Sequence, residues 1–185
     1  MTRILWIVAL MIAVSCGKAE RKIAPAATAT TATAAAEPEM REAVLGKPMP
    51  AYTAKLLDGS PFDIGRERGN VVLLNLWATW CGPCRYEIPE LEKLHVDLSA
   101  QRFKVVGVSV DEGSPEDVKA FVVEQKMTYP VVLDPDGKLA DIFRSTVLPT
   151  SVLVDRQGKV VWKKLGIVNS KDEELVKAIE MALKS

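Results

Sequence analysis

Two thiols spaced three apart, in Cys81-Gly82-Pro83-Cys84, are the residues of this chain best suited to chemistry. They follow an uninterrupted apolar run, Val71 to Trp77 (VVLLNLW), and precede a stretch with helical periodicity, in which Ile88, Leu91, His95 and Leu98 recur on one side. Cys81 is therefore expected at the start of a helix. Unpaired N–H groups and the helix dipole stabilise an anion there, so thiolate is favoured over thiol. Free cysteine titrates near about 8.5, and cysteines of CxxC pairs at helix starts fall to roughly 3.5–7.5. Pro83 suits the first turn, where its missing N–H has no intrahelical partner to lose. Cys84 lies one turn on, placed to attack a mixed disulfide formed on Cys81.

Other uses of the pair are weaker. A structural zinc site needs four ligands, but His95 is the single histidine and the third cysteine, Cys16, is far away near the N-terminus. A purely structural disulfide closing so short a loop adds little stability. No metal and no cofactor are expected; the two sulfurs are sufficient for thiol–disulfide exchange.

The pair sits within alternating strands and helices. Tyr52 to Leu57 and Pro61 to Ile64 flank the turn Asp58-Gly59-Ser60 and predict an N-terminal β-hairpin. Val71 to Trp77 and Phe103 to Val110 (FKVVGVSV) read as buried central strands. Ser114 and Pro115 mark the N-cap and first position of a helix running to about Lys126. Val131 to Leu133 reads as a short strand and Lys138 to Phe143 as a short helix. Thr150 to Asp155 and Lys159 to Lys163 predict a closing pair of strands. Ser170 to Glu173 has the form of a capping box opening a last helix, with Leu175, Ile179 and Ala182 on one face. The whole predicts an α/β domain with a mixed central β-sheet flanked by helices. Pro89 is expected to kink the helix beyond the cysteines.

The N-terminus reads differently. Arg3 precedes Ile4 to Val14, an apolar run of 11 residues, which suits a signal-peptide core and is short for a membrane span. Ala13 and Ser15 lead into Cys16 in a pattern that resembles a bacterial lipobox. Residues 1–15 are expected to be a lipoprotein signal peptide and Cys16 the lipidated mature N-terminus. Residues 16–44 then form a tether, whose Ala/Thr/Pro-rich stretch Ala24 to Pro38 has no large apolar side chain to bury. The folded domain is expected over residues 45–185. With 24 basic and 24 acidic residues the chain has no net charge, and nothing suggests a nucleic-acid partner.

The segments Trp77 to Leu91 (WATWCGPCRYEIPEL), Val105 to Asp111 (VVGVSVD), Tyr129 to Gly137 (YPVVLDPDG) and Leu148 to Val161 (LPTSVLVDRQGKVV) together resemble the thioredoxin superfamily. Within it they are most similar to the membrane-tethered TlpA and ResA proteins. The resemblance spans about Gly46 to Ser185. It implies a thioredoxin-like fold, with the segment between Asp111 and Phe143 as an inserted αβ unit. It also implies that Cys81 is the nucleophile, Cys84 the resolving thiol, and Glu87 an acid/base or pKa-tuning group. Pro149 matches the family's cis-proline, with Leu148 before it offering backbone to an extended substrate. Trp80, Gly82 and Pro83 join them as a substrate-binding surface, while Trp77 is expected in the core and His95 packed or hydrogen-bonded without a catalytic role. Asn75 stands where cytoplasmic thioredoxins bury an Asp, and an amide cannot accept a proton as a carboxylate does.

The implied activity is reduction of protein disulfides in the bacterial cell envelope. Clients would include apocytochrome c or proteins of metal-centre assembly, and a DsbD- or CcdA-type membrane protein would restore the dithiol. Two alternatives belong to other classes. The opening PMPAYTAKLLDGSPFDI resembles alkyl hydroperoxide reductases, which suggests a peroxidase, although Thr79 is too close to Cys81 for a T-x-x-C motif. A Cu(I) metallochaperone would use the same soft thiolates, without the distal histidine of Sco-like proteins.

Overall fold

A computed structural model describes residues 42–185; the expected signal peptide, Cys16 and all but the last residues of the expected tether lie outside the described residues. Among the described residues, seven strands form one sheet in the order β2-β1-β5-β4-β3-β6-β7. In chain order they are β1 (Thr53–Leu56), β2 (Pro61–Asp63), β3 (Val71–Trp77), β4 (Phe103–Ser109), β5 (Val131–Leu133), β6 (Thr150–Val154) and β7 (Val160–Leu165). The helices are α1 (Gly82–Leu98), α2 (Pro115–Glu124), α3 (Lys138–Phe143) and α4 (Glu173–Lys184). β3, β4 and β5 run parallel, and the outer pairings are antiparallel. The sheet is therefore mixed, with the β1–β2 hairpin at one edge and the α2–β5–α3 unit inserted after β4.

β3 is buried along its whole length because helices cover both faces. Strand alternation divides its side chains. Val71, Leu73 and Trp77 join a cluster with Ile88 and Leu91 of α1, Phe121 of α2, and Leu175 and Ile179 of α4. Val72, Leu74 and Leu76 join the opposite cluster with Leu139, Ile142 and Phe143 of α3. Asn75 has the parity of the α1 face. Beside it, β4 needs glycine: a Cβ on Gly107 would lie 2.8 Å from Trp77 Nε1 and 3.0 Å from Tyr129 Cε2.

Some boundaries differ from the sequence-based expectation for physical reasons. Ala43 is already packed, its N–H donating to the Ile142 carbonyl at 2.8 Å, two residues ahead of the expected domain start. The Ser170–Glu173 capping box does not form. Asp172 caps α4, accepting from the N–H groups of Glu174 and Leu175, while Ser170 donates through its N–H and hydroxyl to Glu90 of α1. A strong acceptor 80 residues away outcompetes the local motif. α1 continues through Pro89 as one helix, and Leu175, Ile179 and Ala182 are buried together as expected.

Candidate redox site

The end of β3 runs into a tight turn, Ala78–Cys81, closed by the Cys81 N–H donating to the Ala78 carbonyl at 3.1 Å. α1 starts immediately afterwards. Cys81 is its N-cap, and the Cys81 sulfur accepts the Cys84 N–H at 3.2 Å. Gly82 and Pro83 form the exposed first turn, where proline sacrifices no hydrogen bond. Cys81 and Cys84 are joined by a disulfide. The two sulfurs are not equivalent: Cys81 keeps 4% of its surface exposed, whereas Cys84 has none. Trp80 stands beside them with 72% of its surface exposed, and Trp77 is completely buried.

The second wall comes from the chain entering β6. Thr150 pairs with Leu76 near the carboxyl end of β3, so Pro149 falls beside the point where the redox turn begins. The Leu148–Pro149 peptide is cis. Ser145 and Thr150 fasten this loop: their hydroxyls lie 2.6 Å apart, and Thr150 donates to the Val147 carbonyl at 2.7 Å. Leu148 packs against the cluster that holds both cysteines.

Behind the disulfide lies a buried carboxylate. Glu87 is one helical turn from Cys84, on the same face of α1, and is fully buried. One oxygen accepts from Asn75 Nδ2 at 2.6 Å and the other from the Val168 N–H at 2.9 Å. Asn75 Nδ2 also donates to the Ser151 hydroxyl at 3.0 Å, and Asn75 Oδ1 has no partner among the described residues. Burial pushes the Glu87 carboxyl up to about 7, against the pull of the Val168 N–H, the Asn75 amide and the Lys164 charge. A group of that acidity exchanges protons readily near neutral pH. An isolated helix glutamate is ordinarily solvated; here Asn75, on the adjoining strand face, supplies the partner that keeps Glu87 inside.

The structure thus gathers Trp80, Cys81, Gly82, Pro83, Cys84, Glu87, Leu148 and Pro149 around the carboxyl end of β3. His95 stands apart, accepting the Val105 N–H at 3.3 Å and packing edge-on against Tyr129. Sequence reasoning did not single out Arg85, Tyr86 or Asp111. Tyr86 is a second strongly exposed aromatic beside the pair. Arg85 and Asp111 both bond Thr79 in the redox turn. Charged side chains near a motif carry no local signal of such contacts.

A cysteine pair bridged at a helix start, with a cis-proline loop alongside, on a sheet of this order, defines a thioredoxin-fold thiol–disulfide oxidoreductase. The chain belongs to the AhpC/TSA family, whose model matches residues 45–163. The thiol-disulfide oxidoreductase ResA of Bacillus cereus is 33% identical over 122 residues, 66% of this chain and 70% of that protein. The thioredoxin-like protein YneN of Bacillus subtilis is 34% identical over 131 residues, 70% of this chain and 76% of that protein. The thioredoxin domain of a thiol-disulfide oxidoreductase from Bacteroides vulgatus superimposes with a TM-score of 0.66 at 29% identity, covering 76% of this chain and 98% of that domain.

Proposed function

We propose that this oxidoreductase works as a reductase of protein disulfides outside the cytoplasm, held to a membrane by a lipid on Cys16. The observation that carries the direction of attack is the asymmetry of the pair. Cys81 caps α1 and retains an exposed edge; Cys84 is sealed behind it.

In the reduced protein, the Cys81 thiolate attacks one sulfur of a client disulfide. The client's other sulfur leaves as a thiolate and takes up a proton, and a mixed disulfide joins Cys81 to the client. Cys84 then passes its proton to the Glu87 carboxylate and attacks the Cys81 sulfur. The remaining client sulfur departs as a second thiolate. The client has gained two electrons and the protein holds the Cys81–Cys84 disulfide. Burial suits Glu87 to this step, because a carboxyl at about 7 takes a proton from a thiol with less mismatch than an exposed glutamate does. Trp80, Gly82 and Pro83 face the client on one side of the disulfide, and Leu148 and Pro149 on the other.

The Gly-Pro dipeptide between the cysteines supports the reducing direction. Clients of the cytochrome c maturation or metal-centre assembly type fit that reading, with a DsbD- or CcdA-type membrane protein restoring the dithiol. The test is trapping with Cys84→Ser. Removing the resolving thiol leaves mixed disulfides on Cys81, visible as adducts that thiol reductant releases. Equal trapping by Cys81→Ser contradicts the assignment. A reduction potential near about −120 mV instead of about −270 mV reverses the direction.

A further inference from the structure

The redox turn is gripped through Thr79 by charged side chains from two different elements. Asp111, just beyond the end of β4, accepts the Thr79 N–H at 3.1 and 3.2 Å and the Thr79 hydroxyl at 2.6 Å. The Ser109 hydroxyl donates to the same carboxylate at 2.7 Å, and the Asp111 N–H donates to the Ser109 oxygen at 3.2 Å, so the carboxylate is itself held. Nearby, Arg85 of α1 donates to the Thr79 carbonyl at 3.3 Å. Its guanidinium lies 4.6 Å from the centre of the Phe121 ring and 3.5 Å from Glu124. Every polar group of Thr79 is thereby engaged. Thr79 and Trp80 are the two central residues of the turn that Cys81 closes.

We propose that Asp111 is the positioning residue of the redox centre, with Arg85 as its counterpart, and that their clamp on Thr79 aims Cys81 and Trp80 at the client. The idea rests on disulfide exchange at Cys81. A turn with two central residues has several backbone conformations open to it, and the Trp80 side chain has little packing to hold it. The bonds to Thr79 fix both neighbours at once. Both sides of the clamp use charge-assisted bonds; Asp111 is the firmer one because it accepts from both the N–H and the hydroxyl of Thr79, the latter at 2.6 Å, whereas Arg85 makes a single bond at 3.3 Å. Arg85 is largely exposed, and its contribution is screened.

Thr79→Val keeps the side-chain shape and deletes the donor; Thr79→Ser restores it. Asp111→Asn leaves one acceptor where three donors converge. Turnover with insulin as the disulfide substrate, thermal midpoints, and amide exchange at Thr79 and Cys81 are measured for all four proteins. Thr79→Val and Asp111→Asn are expected to lose about tenfold in kcat/KM, as misplacement of a reacting group does, and to exchange the Cys81 amide faster. Thr79→Ser is expected to match wild type in both. Folded Thr79→Val and Asp111→Asn with wild-type turnover and exchange overturn the proposal. If Asp111→Asn does not fold, the Val/Ser pair decides alone. A wild type that leaves insulin oxidised counts against the reductase reading, and amide exchange then decides the clamp by itself.

Discussion

Glu87 and Asp134 are both carboxylates that burial pushes above the usual range, yet they are held in opposite ways. Asp134 directly follows β5 and accepts the N–H groups of Lys138 and Leu139, at 3.2 and 2.7 Å, at the start of α3. Its donors lie four and five residues away, and the helix it serves covers an apolar face of Val72, Leu74, Leu76 and Val152. Glu87 faces the other way, and its donors come from β3 and from the loop before α4, 12 and 81 residues distant. Among the described residues, Asn75 Oδ1, Trp77 Nε1 and the Tyr129 hydroxyl are buried without partners on its face of the sheet, against the Tyr52 hydroxyl alone in the cluster on the Asp134 side. One face uses a buried charge to start a helix. The other buries more polar groups without partners, where protons must move, which is the usual price of an active site.

Substitutions break this comparison in a definite order. Leu74→Ala, in the apolar face, is expected to remove about 2–5 kcal/mol of stability by leaving a cavity. Urea unfolding measures that loss, and the pH profile of thiol exchange should stay where it was. A shifted profile would mean that the faces are coupled.

Glu87→Gln should do the reverse. The folded pKa of Glu87 exceeds its unfolded value, so the folded state binds the extra proton between about 4.5 and 7. Wild-type stability therefore falls as pH rises through that window. The variant lacks this penalty and gains up to about 3 kcal/mol above pH 8, with no gain near pH 4, where both states carry the proton. Asn75 can accommodate the glutamine by turning its unpartnered Oδ1 towards it. Urea midpoints at the two pH values test the sign, and release of client from the mixed disulfide should slow in the same variant.

Asp134→Ala has the smallest effect, about 0.5–2 kcal/mol for a lost helix-start acceptor, with turnover unchanged. A fall in turnover comparable to that of Glu87→Gln would erase the distinction between the two carboxylates.

The same contrast explains what was legible in the sequence. β3, β5 and α3 match their expected limits because each is bounded by local signals: an apolar run, a Pro-containing turn, a glycine before the helix. Cys81 at the start of α1 was equally readable, since strand, Gly-Pro and helical periodicity are contiguous. Glu87 was singled out only through the family resemblance; its burial was hidden because nothing within a turn of it announces Asn75 or Val168. Ser170 misled for the complementary reason, a correct local motif overridden by Glu90 from across the fold. Thr79 and Asp111 are 32 residues apart, and neither carries a mark of the other.

The most direct test of the account is alkylation of the reduced protein across pH, with the modified cysteine identified by mass. A thiolate held by the α1 N-terminus predicts that Cys81 reacts first, with half-maximal rate well below the ordinary thiol value of about 8.5, and that Cys84 is spared. Modification of Cys84 first, or a Cys81 midpoint at or above that ordinary value, contradicts it.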